Sequence, residues 1–424
     1  MKKYKLTTVA SYTGYIVQAF VNNFLPLLYV IFNAPPYGVK IEQLGALSFI
    51  NFTLQLIVDV LSVYLVPKFG SKRCVVTAQG LSALGFLCLA VLPNLLPIYP
   101  AVLVSMLFLS LGSGLIEVVV SPIIEALPNR NKSGSMSLLH SFYSWGQVLA
   151  VAGTTLLLLV LGNGRWQLIA ALWALLPAVN TFLFYKAPIL ELPAEHTAPH
   201  GAAILKDRGL WLFLIVILCA GAAEITMVQW SSFFVQTGFG LQKWVCDLLG
   251  PCAFAVLMGL GRVLFGLIGD RIRLDAAIFG CGLLCLACYL TVAFSSNALL
   301  SLITCAVCGF AVSVMWPGTY SLAAKHYGGG TTQMFGFLAM AGDLGCGFGP
   351  VLLTGLTALS GRLGLDRAFA RTFHATGEQA GMQLGFLATS VFPLVMILCT
   401  AALMKKKNSP AGAAAKIKAP RPGT

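Results

Sequence analysis

Charged residues are scarce in this chain. They make up 10% of its 424 residues, whereas hydrophobic residues make up 58%, and the mean hydropathy is +0.85. A water-soluble domain carries roughly 25% charged residues, so this composition excludes one. No nucleophile–base–acid set is apparent among the 14 acidic residues and 5 histidines. We therefore expect neither an enzyme nor a cofactor.

Long apolar segments are what the sequence has instead. They are rich in Leu, Ala and Gly, and each is long enough for one helical crossing of a hydrocarbon core about 30 Å thick. They do not alternate between apolar and polar residues, which argues for helices. We predict an all-α membrane protein with twelve transmembrane helices, at residues 8–32, 43–66, 73–93, 97–126, 134–161, 165–185, 209–237, 243–268, 274–295, 298–326, 330–360 and 379–404.

The distribution of basic residues predicts the orientation of these helices. Most of the 27 Lys and Arg residues fall on the side that holds both termini, and the positive-inside rule assigns that side to the cytoplasm. The net charge of +13 is thus a topology signal and gives no reason to expect nucleic acid as a partner. We expect a monomeric, multi-pass protein of the plasma (inner) membrane.

The chain divides at one polar stretch, "KAPILELPAEHTAPHGAAILKDR". We predict an N-terminal bundle (1–185), a cytoplasmic linker (186–208), a C-terminal bundle (209–404) and a basic cytoplasmic tail (405–424), with six helices in each bundle. The bundles repeat each other. "GLIEVVVSP" from Gly114 parallels "GFAVSVMWP" from Gly309, and "DVLSVYLVPKFGSKR" from Asp59 parallels "RVLFGLIGDRIR" from Arg262.

Two repeated six-helix halves around a polar linker resemble the major facilitator superfamily. The segment "GLIGDRIR" (266–273) is similar to that family's G-x-L-x-D-R-x-G-R loop signature, and "YLVPKFGSKR" (64–73) has Pro67 where the signature has Asp. The resemblance implies a transporter whose two bundles rock about a central site. It also implies gating residues near this loop in each half, for which we take Asp59, Asp270 and Arg271.

Three acidic residues stand in the middle of apolar helices: Glu117, Glu224 and Asp343. A carboxylate at the bilayer centre costs at least ~2.5–3.5 kcal/mol on insertion scales, so such residues usually have a function. We predict these three as candidate proton-coupling residues. Arg262 and Lys325 are possible counter-ions for Asp343, which could alternatively be a buried structural partner.

Uncharged polar residues and tryptophans at similar depth are the candidates for substrate binding. Polar stripes in an apolar helix face protein or water, and indole rings stack on the apolar faces of sugars. The alternative is hydrogen bonding between helices, worth ~0.6 kcal/mol per contact. The candidates are Gln18, Asn22 and Asn23 in the first helix, His140, Tyr143, Ser144 and Gln147 in the fifth, and Gln229, Trp230 and Trp316 in the second half.

Two of these segments resemble the fucose–proton symporter family more closely. "GLIEVVVSP" and "LLHSFYSWG" are similar to its motifs G-x-x-E-T-x-x-N-P and A-Q-S-F-N-x-x-G. The resemblance implies that Glu117 carries the coupled proton and that His140 and Tyr143 occupy sugar-binding positions. Asn22 falls where that family has a membrane-embedded Asp. Because Asn22 cannot titrate, coupling would rest on Glu117, alone or with another acid.

The function predicted from these features is proton symport of a small polar solute, most simply a sugar. The alternatives are a drug–proton antiporter of the same fold and a non-transporting membrane sensor. Two Cys-x-x-Cys spacings, Cys285 with Cys288 and Cys305 with Cys308, lie in apolar helices without a nearby His or acidic partner. We interpret them as packing residues and expect no metal site.

Overall fold

The computed structural model describes residues 4–128, 132–190, 207–268, 272–327, 332–373 and 377–408, and every regular element within them is a helix. Twelve of these helical segments are long and apolar enough to cross a membrane, which confirms the predicted fold class. Six precede residues 191–206 and six follow them. We number them spans 1–12 and call spans 1–6 the N-half and spans 7–12 the C-half.

The helix bounds agree with the sequence prediction to within a few residues. In the N-half the helices are Lys5–Phe24, Leu25–Leu28 and Tyr29–Asn33 (span 1), Ile41–Phe69, Ser71–Val91, Ile98–Ala126, Lys132–Leu161 and Trp166–Lys186. In the C-half they are Arg208–Phe239, then Lys243–Asp247, Leu248–Cys252 and Ala253–Ile268 (span 8), Leu274–Phe294, Ala298–Val312 and Met315–His326 (span 10), Thr332–Leu363, and Gly377–Thr389 with Val391–Asn408 (span 12).

Prolines account for two of the irregular turns inside spans. Pro26 lies in the 3-10 turn of span 1, and Pro251 lies in the wider π turn near the start of span 8. A proline ring removes one backbone donor and clashes with the preceding turn, which favours a local change of helix pitch. Both turns lie toward the same face of the molecule, opposite to the face that carries the start of span 1. We call the face that carries the start of span 1 the terminal face. The face that carries the two proline turns is the opposite face.

One helix was not predicted from the sequence. Leu365–Phe373 follows span 11, in the stretch between two predicted membrane helices. Its sequence, "LDRAFARTF", alternates apolar and charged residues at helical spacing, and it is too short to span a bilayer. Gly364, with φ +70°, makes the turn that separates it from span 11.

Spans 7 and 11 approach so closely that glycine is required between them. A Cβ atom on Gly345 would lie 1.9 Å from the carbonyl oxygen of Leu218, and one on Gly349 would lie 2.2 Å from Oγ1 of Thr226. Small residues allow helix backbones to approach each other in membranes. The glycines around Asp343 in "MAGDLGCGFGP" therefore serve helix packing.

We expect Gly345→Ala to destabilise the protein by about 1–3 kcal/mol, because the added methyl group forces the backbones of spans 7 and 11 apart. The measurement is thermal unfolding in detergent. Gly355→Ala is the matched control, since Gly355 lies in the same helix and a methyl group added there would meet nothing within 4 Å. In that variant the better helix propensity of alanine should leave stability equal or slightly higher. Equal unfolding temperatures for both variants would contradict the packing argument.

Candidate functional site

A polar cavity lies between the two halves at mid-depth. His140 in span 5 is exposed to it, and Glu117, Tyr143 and Arg262 are partly exposed, although all four lie in the interior of spans. His140 is close to Arg262, and Tyr143 is close to Glu224, so the exposed surface of these side chains lies where the two halves meet.

Glu117 is held on the wall of this cavity by span 1. Nε2 of Gln18 donates a hydrogen bond of 2.7 Å to Oε2 of Glu117. Next to it, the hydroxyl groups of Tyr15 and Ser121 are 2.6 Å apart, and the Tyr15 ring meets His140 edge-on with centroids 5.2 Å apart. Spans 1, 4 and 5 thus bring Glu117 and His140 together, with Tyr15 between them.

Asn22 is the centre of a second polar group in the N-half. Its Oδ1 accepts hydrogen bonds of 3.2 Å from Nδ2 of Asn51 and from Nε2 of Gln55, both in span 2. Its Nδ2 lies 3.4 Å from the hydroxyl of Tyr143. Two serines of span 4 complete the network by donating to the side-chain oxygens of span 2, Ser110 to Asn51 and Ser113 to Gln55.

Arg262 in span 8 reaches across to the N-half. Its Nη1 donates to Oγ of Ser144 at 3.0 Å, and its Nη2 lies 3.9 Å from Oε1 of Glu224. The sequence-based pairing of Arg262 or Lys325 with Asp343 is therefore not what the structure has. Arg262 lies beside Glu224, because both project from adjacent spans 7 and 8, and Lys325 is exposed on span 10.

Asp343 lies opposite an acidic residue. Only 4% of Asp343 is exposed, and its carboxyl group is within hydrogen-bonding reach of the carboxyl group of Asp59 in span 2. On sequence grounds these two residues have different predicted tasks, gating for Asp59 and proton coupling for Asp343. Their contact joins the two halves of the molecule at the level of the cavity.

Several predicted binding residues lie away from the cavity. Nδ2 of Asn23 donates to the carbonyl of Ala19 in its own helix, and Gln147 is buried within span 5. Trp230 is fully buried against Tyr29, with ring centroids 5.3 Å apart. Trp316 stacks on Tyr320 and packs over Gly342. In this conformation Asn23, Gln147 and Trp230 serve packing, and Trp316 is only partly exposed.

Contacts between the halves close the opposite face. Oγ of Ser48 in span 2 donates to Oε1 of Gln229 in span 7 at 2.5 Å, and the pair Tyr29–Trp230 lies alongside. Closer to the surface, Arg362 and Glu42 form an ion pair of 3.3 Å. With this face closed, solvent reaches His140 and Glu117 from the terminal face.

A buried network around Asp247 belongs to the same closure. Asp247 is fully buried, receives a hydrogen bond of 3.1 Å from Thr155 in span 5, forms a 2.6 Å ion pair with Lys243 and accepts a short hydrogen bond from Ser232. Thr155 belongs to the N-half, and the other three residues belong to the C-half. The gating residues predicted from the loop signature, Asp270 and Arg271, lie outside the described residues.

The sequence analysis did not single out several members of these networks, among them Tyr15, Ser48, Asn51, Gln55, Thr155 and Asp247. Asn51 and Gln55 are four residues apart in an apolar helix, which is a polar stripe of the kind recognised in span 5. The same rule applied to span 2 would have found them. Ser48, Thr155 and Asp247 carried no such signal, since each is recognisable only by its partner on the other half.

The two Cys-x-x-Cys sequences face each other in spans 9 and 10. The sulfur atoms of Cys285 and Cys308 are 3.8 Å apart, and both side chains are fully buried. Within the described ranges, no group of three or more His, Cys, Asp or Glu side chains has the geometry to hold a metal ion. The sulfur contact packs span 9 against span 10.

Fold and cavity together define a polytopic membrane protein with the architecture of a solute carrier. The family model of the Major Facilitator Superfamily matches residues 11–350 and again residues 252–422. The chain belongs to this superfamily. A search of curated protein sequences found no matching relative.

Solved structures of transporters share the fold over nearly the whole chain. The D-xylose-proton symporter has a TM-score of 0.74 at 14% identity, covering 94% of this chain and 97% of its own. A bacterial homolog of the human lysosomal transporter Spinster, in an inward-facing and occupied conformation, has a TM-score of 0.73 at 12% identity, covering 96% and 97%. The E. coli fucose:proton symporter has a TM-score of 0.64 at 16% identity, covering 94% and 98%. At such low sequence identities, these similarities show that the chains share a fold and nothing more specific.

Proposed function

We propose that this protein is a secondary active transporter that moves a small polar solute across the plasma membrane together with a proton. The solute that we propose is a sugar. The two halves act as the moving bodies, residues 1–185 and 209–404, and the cavity between them alternates between the two faces. In this proposal the terminal face is cytoplasmic, as are the linker (186–208) and the tail (405–424), and the protein works as a monomer.

The observation that carries the proposal is the position of Glu117. A carboxyl group on a cavity wall at mid-depth, hydrogen-bonded by Gln18 and reachable by solvent, can take up and release a proton while its surroundings stay in place. Intramembrane acidic residues that face a water-filled cavity mark proton pathways. Removing the charge by protonation also removes the cost of enclosing a carboxylate when the cavity closes.

The groups beside Glu117 favour a neutral polar solute. His140 and Tyr143 present hydrogen-bond donors and acceptors on one side of the cavity, which suits hydroxyl groups, and Asn22 supports Tyr143 from behind through its hydrogen bond to the Tyr143 hydroxyl. Arg262 lies on the other side, next to Ser144 and Glu224, and its guanidinium N–H groups add hydrogen-bond donors for a polar solute. The D-xylose-proton and fucose:proton symporters share the fold of this chain, and they are carriers of the kind proposed.

Transport by purified protein in proteoliposomes tests the proposal. With an imposed proton gradient, radiolabelled monosaccharides should accumulate, and an uncoupler should abolish the accumulation. A dye cation that leaves the vesicles as protons enter would instead identify a drug–proton antiporter. Absence of any flux, with ligand-induced stabilisation retained, would favour a sensor.

The proposed orientation has its own test. A reporter protein fused after Thr424 should be found on the cytoplasmic side of the membrane.

Tyr143→Phe and His140→Ala are each expected to weaken binding of the transported solute by about 1–3 kcal/mol, which corresponds to roughly 5- to 150-fold in Kd. The physical reason is that a solute hydroxyl loses its partner inside a desolvated cavity. Ligand-induced stabilisation against solute concentration gives Kd for each variant.

Tyr99→Phe is the matched control, because the Tyr99 hydroxyl makes a long 3.5 Å hydrogen bond to the carbonyl of Gln43 near the opposite face, away from the cavity. Its Kd should equal that of the wild type. If Tyr143→Phe and His140→Ala bind as tightly as this control, the span 5 residues serve helix packing alone.

A further inference from the structure

Asp59 and Asp343 occupy one point of a long seam between the halves. Spans 2 and 11 run antiparallel along it: Gly45 packs against Thr354, and the rings of Phe49 and Phe348 meet with centroids 5.4 Å apart. Continuing from there toward the terminal face, the seam reaches Asp59 on span 2 and Asp343 on span 11. The two carboxyl groups therefore belong to bodies that must move relative to each other during transport.

The contact between these two carboxyl groups needs a proton. They lie within hydrogen-bonding reach of each other, while Oδ1 of Asp59 and Oδ2 of Asp343 are buried and receive no hydrogen bond from the described chain. Ionised carboxylates are acceptors only, so two of them cannot bond to each other. A carboxyl–carboxyl hydrogen bond exists only when one of the pair carries the proton.

No basic side chain in the described part of the chain offsets this pair. The ion pairs found there involve Lys243, Arg262, Arg273 and Arg362, each with a different acid. The titratable groups that face the pair are Glu117 from span 4, Tyr320 from span 10 and Cys346 from span 11 itself. Each of these is neutral or negative, so the surroundings supply no cation that would let both carboxyls ionise in contact.

We propose that Asp59 and Asp343 form a second proton site, distinct from Glu117, that holds one shared proton when spans 2 and 11 are in contact at this level. The inference rests on the proposed proton-coupled transport for its role in the cycle. Asp59 is only half-buried, so the proton exchanges with water of the cavity through this residue. When the proton leaves, two adjacent carboxylates repel each other and the contact between the halves opens at this level.

This site would link protonation to conformation directly. Glu117 lies within the N-half, held by Gln18 of the same half, so its protonation changes the charge of one body. The Asp59–Asp343 pair spans both bodies, so its protonation changes the force between them. A proton that leaves toward the open face would release the seam and allow the halves to move.

Infrared difference spectroscopy of the purified full-length protein during a pH titration tests the proposal without any substrate. Raising the pH should remove a carbonyl band of a protonated carboxyl group in the wild type. That change should be lost in Asp59→Asn and in Asp343→Asn, because an amide bonds to the remaining carboxylate without a proton. Glu117→Gln should retain it. Retention of the full change in both Asp variants, or its loss in Glu117→Gln alone, would overturn the proposal.

Thermal unfolding against pH is the second measurement, and it does not depend on assigning a band. Because the contact needs its proton, the wild type should lose stability as the pH is raised, whereas Asp59→Asn should show a much flatter dependence. Equal pH dependence in the two proteins would speak against the shared proton. Neither measurement involves transport. A failure to observe sugar–proton symport in proteoliposomes would therefore not affect their results, and the two proposals can fail separately.

Discussion

Glu117→Gln should still bind the transported solute and exchange it across the membrane, yet it should fail to accumulate it on a proton gradient. The amide has the size of a protonated carboxyl group, and its oxygen can accept the hydrogen bond that Nε2 of Gln18 donates to Glu117 at 2.7 Å. The cavity wall therefore stays intact. What the variant lacks is a group that gains and loses a proton in each cycle, so downhill exchange survives and coupling does not.

The experiment compares counterflow with gradient-driven uptake in the same proteoliposomes. Counterflow should remain within a few-fold of the wild type, while the accumulation ratio should fall to about one. Asp366→Asn is the matched control, since Asp366 is a partly exposed carboxylate in the short helix after span 11, where its Oδ1 accepts a hydrogen bond from the neighbouring backbone N–H of Arg367. It should accumulate normally.

Two other results would each remove the assigned role. If Glu117→Gln still concentrates the solute, the coupled proton is carried elsewhere, and Glu224 and the Asp59–Asp343 pair are the next candidates at this depth. If the variant loses binding altogether, Glu117 is a solute ligand first. Glu117→Ala is less informative, because it leaves a cavity and an unpaired Gln18 donor.

The fold was predictable from the sequence because a lipid environment leaves few choices. Every backbone group must be satisfied within its own segment, so an apolar run of about 20 residues is a helix whatever its neighbours are. Span 8 shows the limit of this rule: the run from Lys243 was recognised, but the π turn at Leu248–Cys252 was not. Such a turn depends on how Pro251 fits against neighbouring helices.

The candidate site was predictable only where one helix carries the signal. Glu117 and His140 stand out because each is polar in an apolar span, and the structure brings both to the same cavity. Pairings between helices were not accessible in this way. Arg262 was assigned to Asp343 from the sequence, but it lies beside Glu224. The sequence shows how deep a residue lies along its helix, but it does not show which neighbouring helix the residue meets.

The closure of the opposite face offers a second large effect, in Thr155→Val. Thr155 donates a 3.1 Å hydrogen bond to Oδ2 of Asp247, and it is the member of that network that belongs to the N-half. When this face is closed, the variant leaves Asp247 short of one donor in a buried place. When the face is open, water replaces the lost donor. The substitution therefore penalises the closed state selectively.

A hydrogen bond to a charged group contributes about 1.5–3 kcal/mol. Because Lys243 and Ser232 still contact Asp247, we expect the low end of this range, which is about tenfold in the ratio of open to closed states. Cys246 reports this ratio: its side chain is fully buried next to Asp247, so it reacts with a membrane-impermeant maleimide only when the face opens. Its modification rate, measured by mass spectrometry, should rise about tenfold in Thr155→Val.

Thr154→Val provides a matched control one residue away. Oγ1 of Thr154 accepts a 3.0 Å hydrogen bond from Nε1 of Trp173, and both residues lie in the N-half, so this bond is present whichever face is open. The variant should lose some thermal stability while the reactivity of Cys246 stays at the wild-type rate. Equal acceleration in the two variants would mean that span 5 has loosened generally. No acceleration in either would mean that Thr155 contributes nothing to closure, and the contacts of Ser48 with Gln229 and of Tyr29 with Trp230 would then hold the face shut.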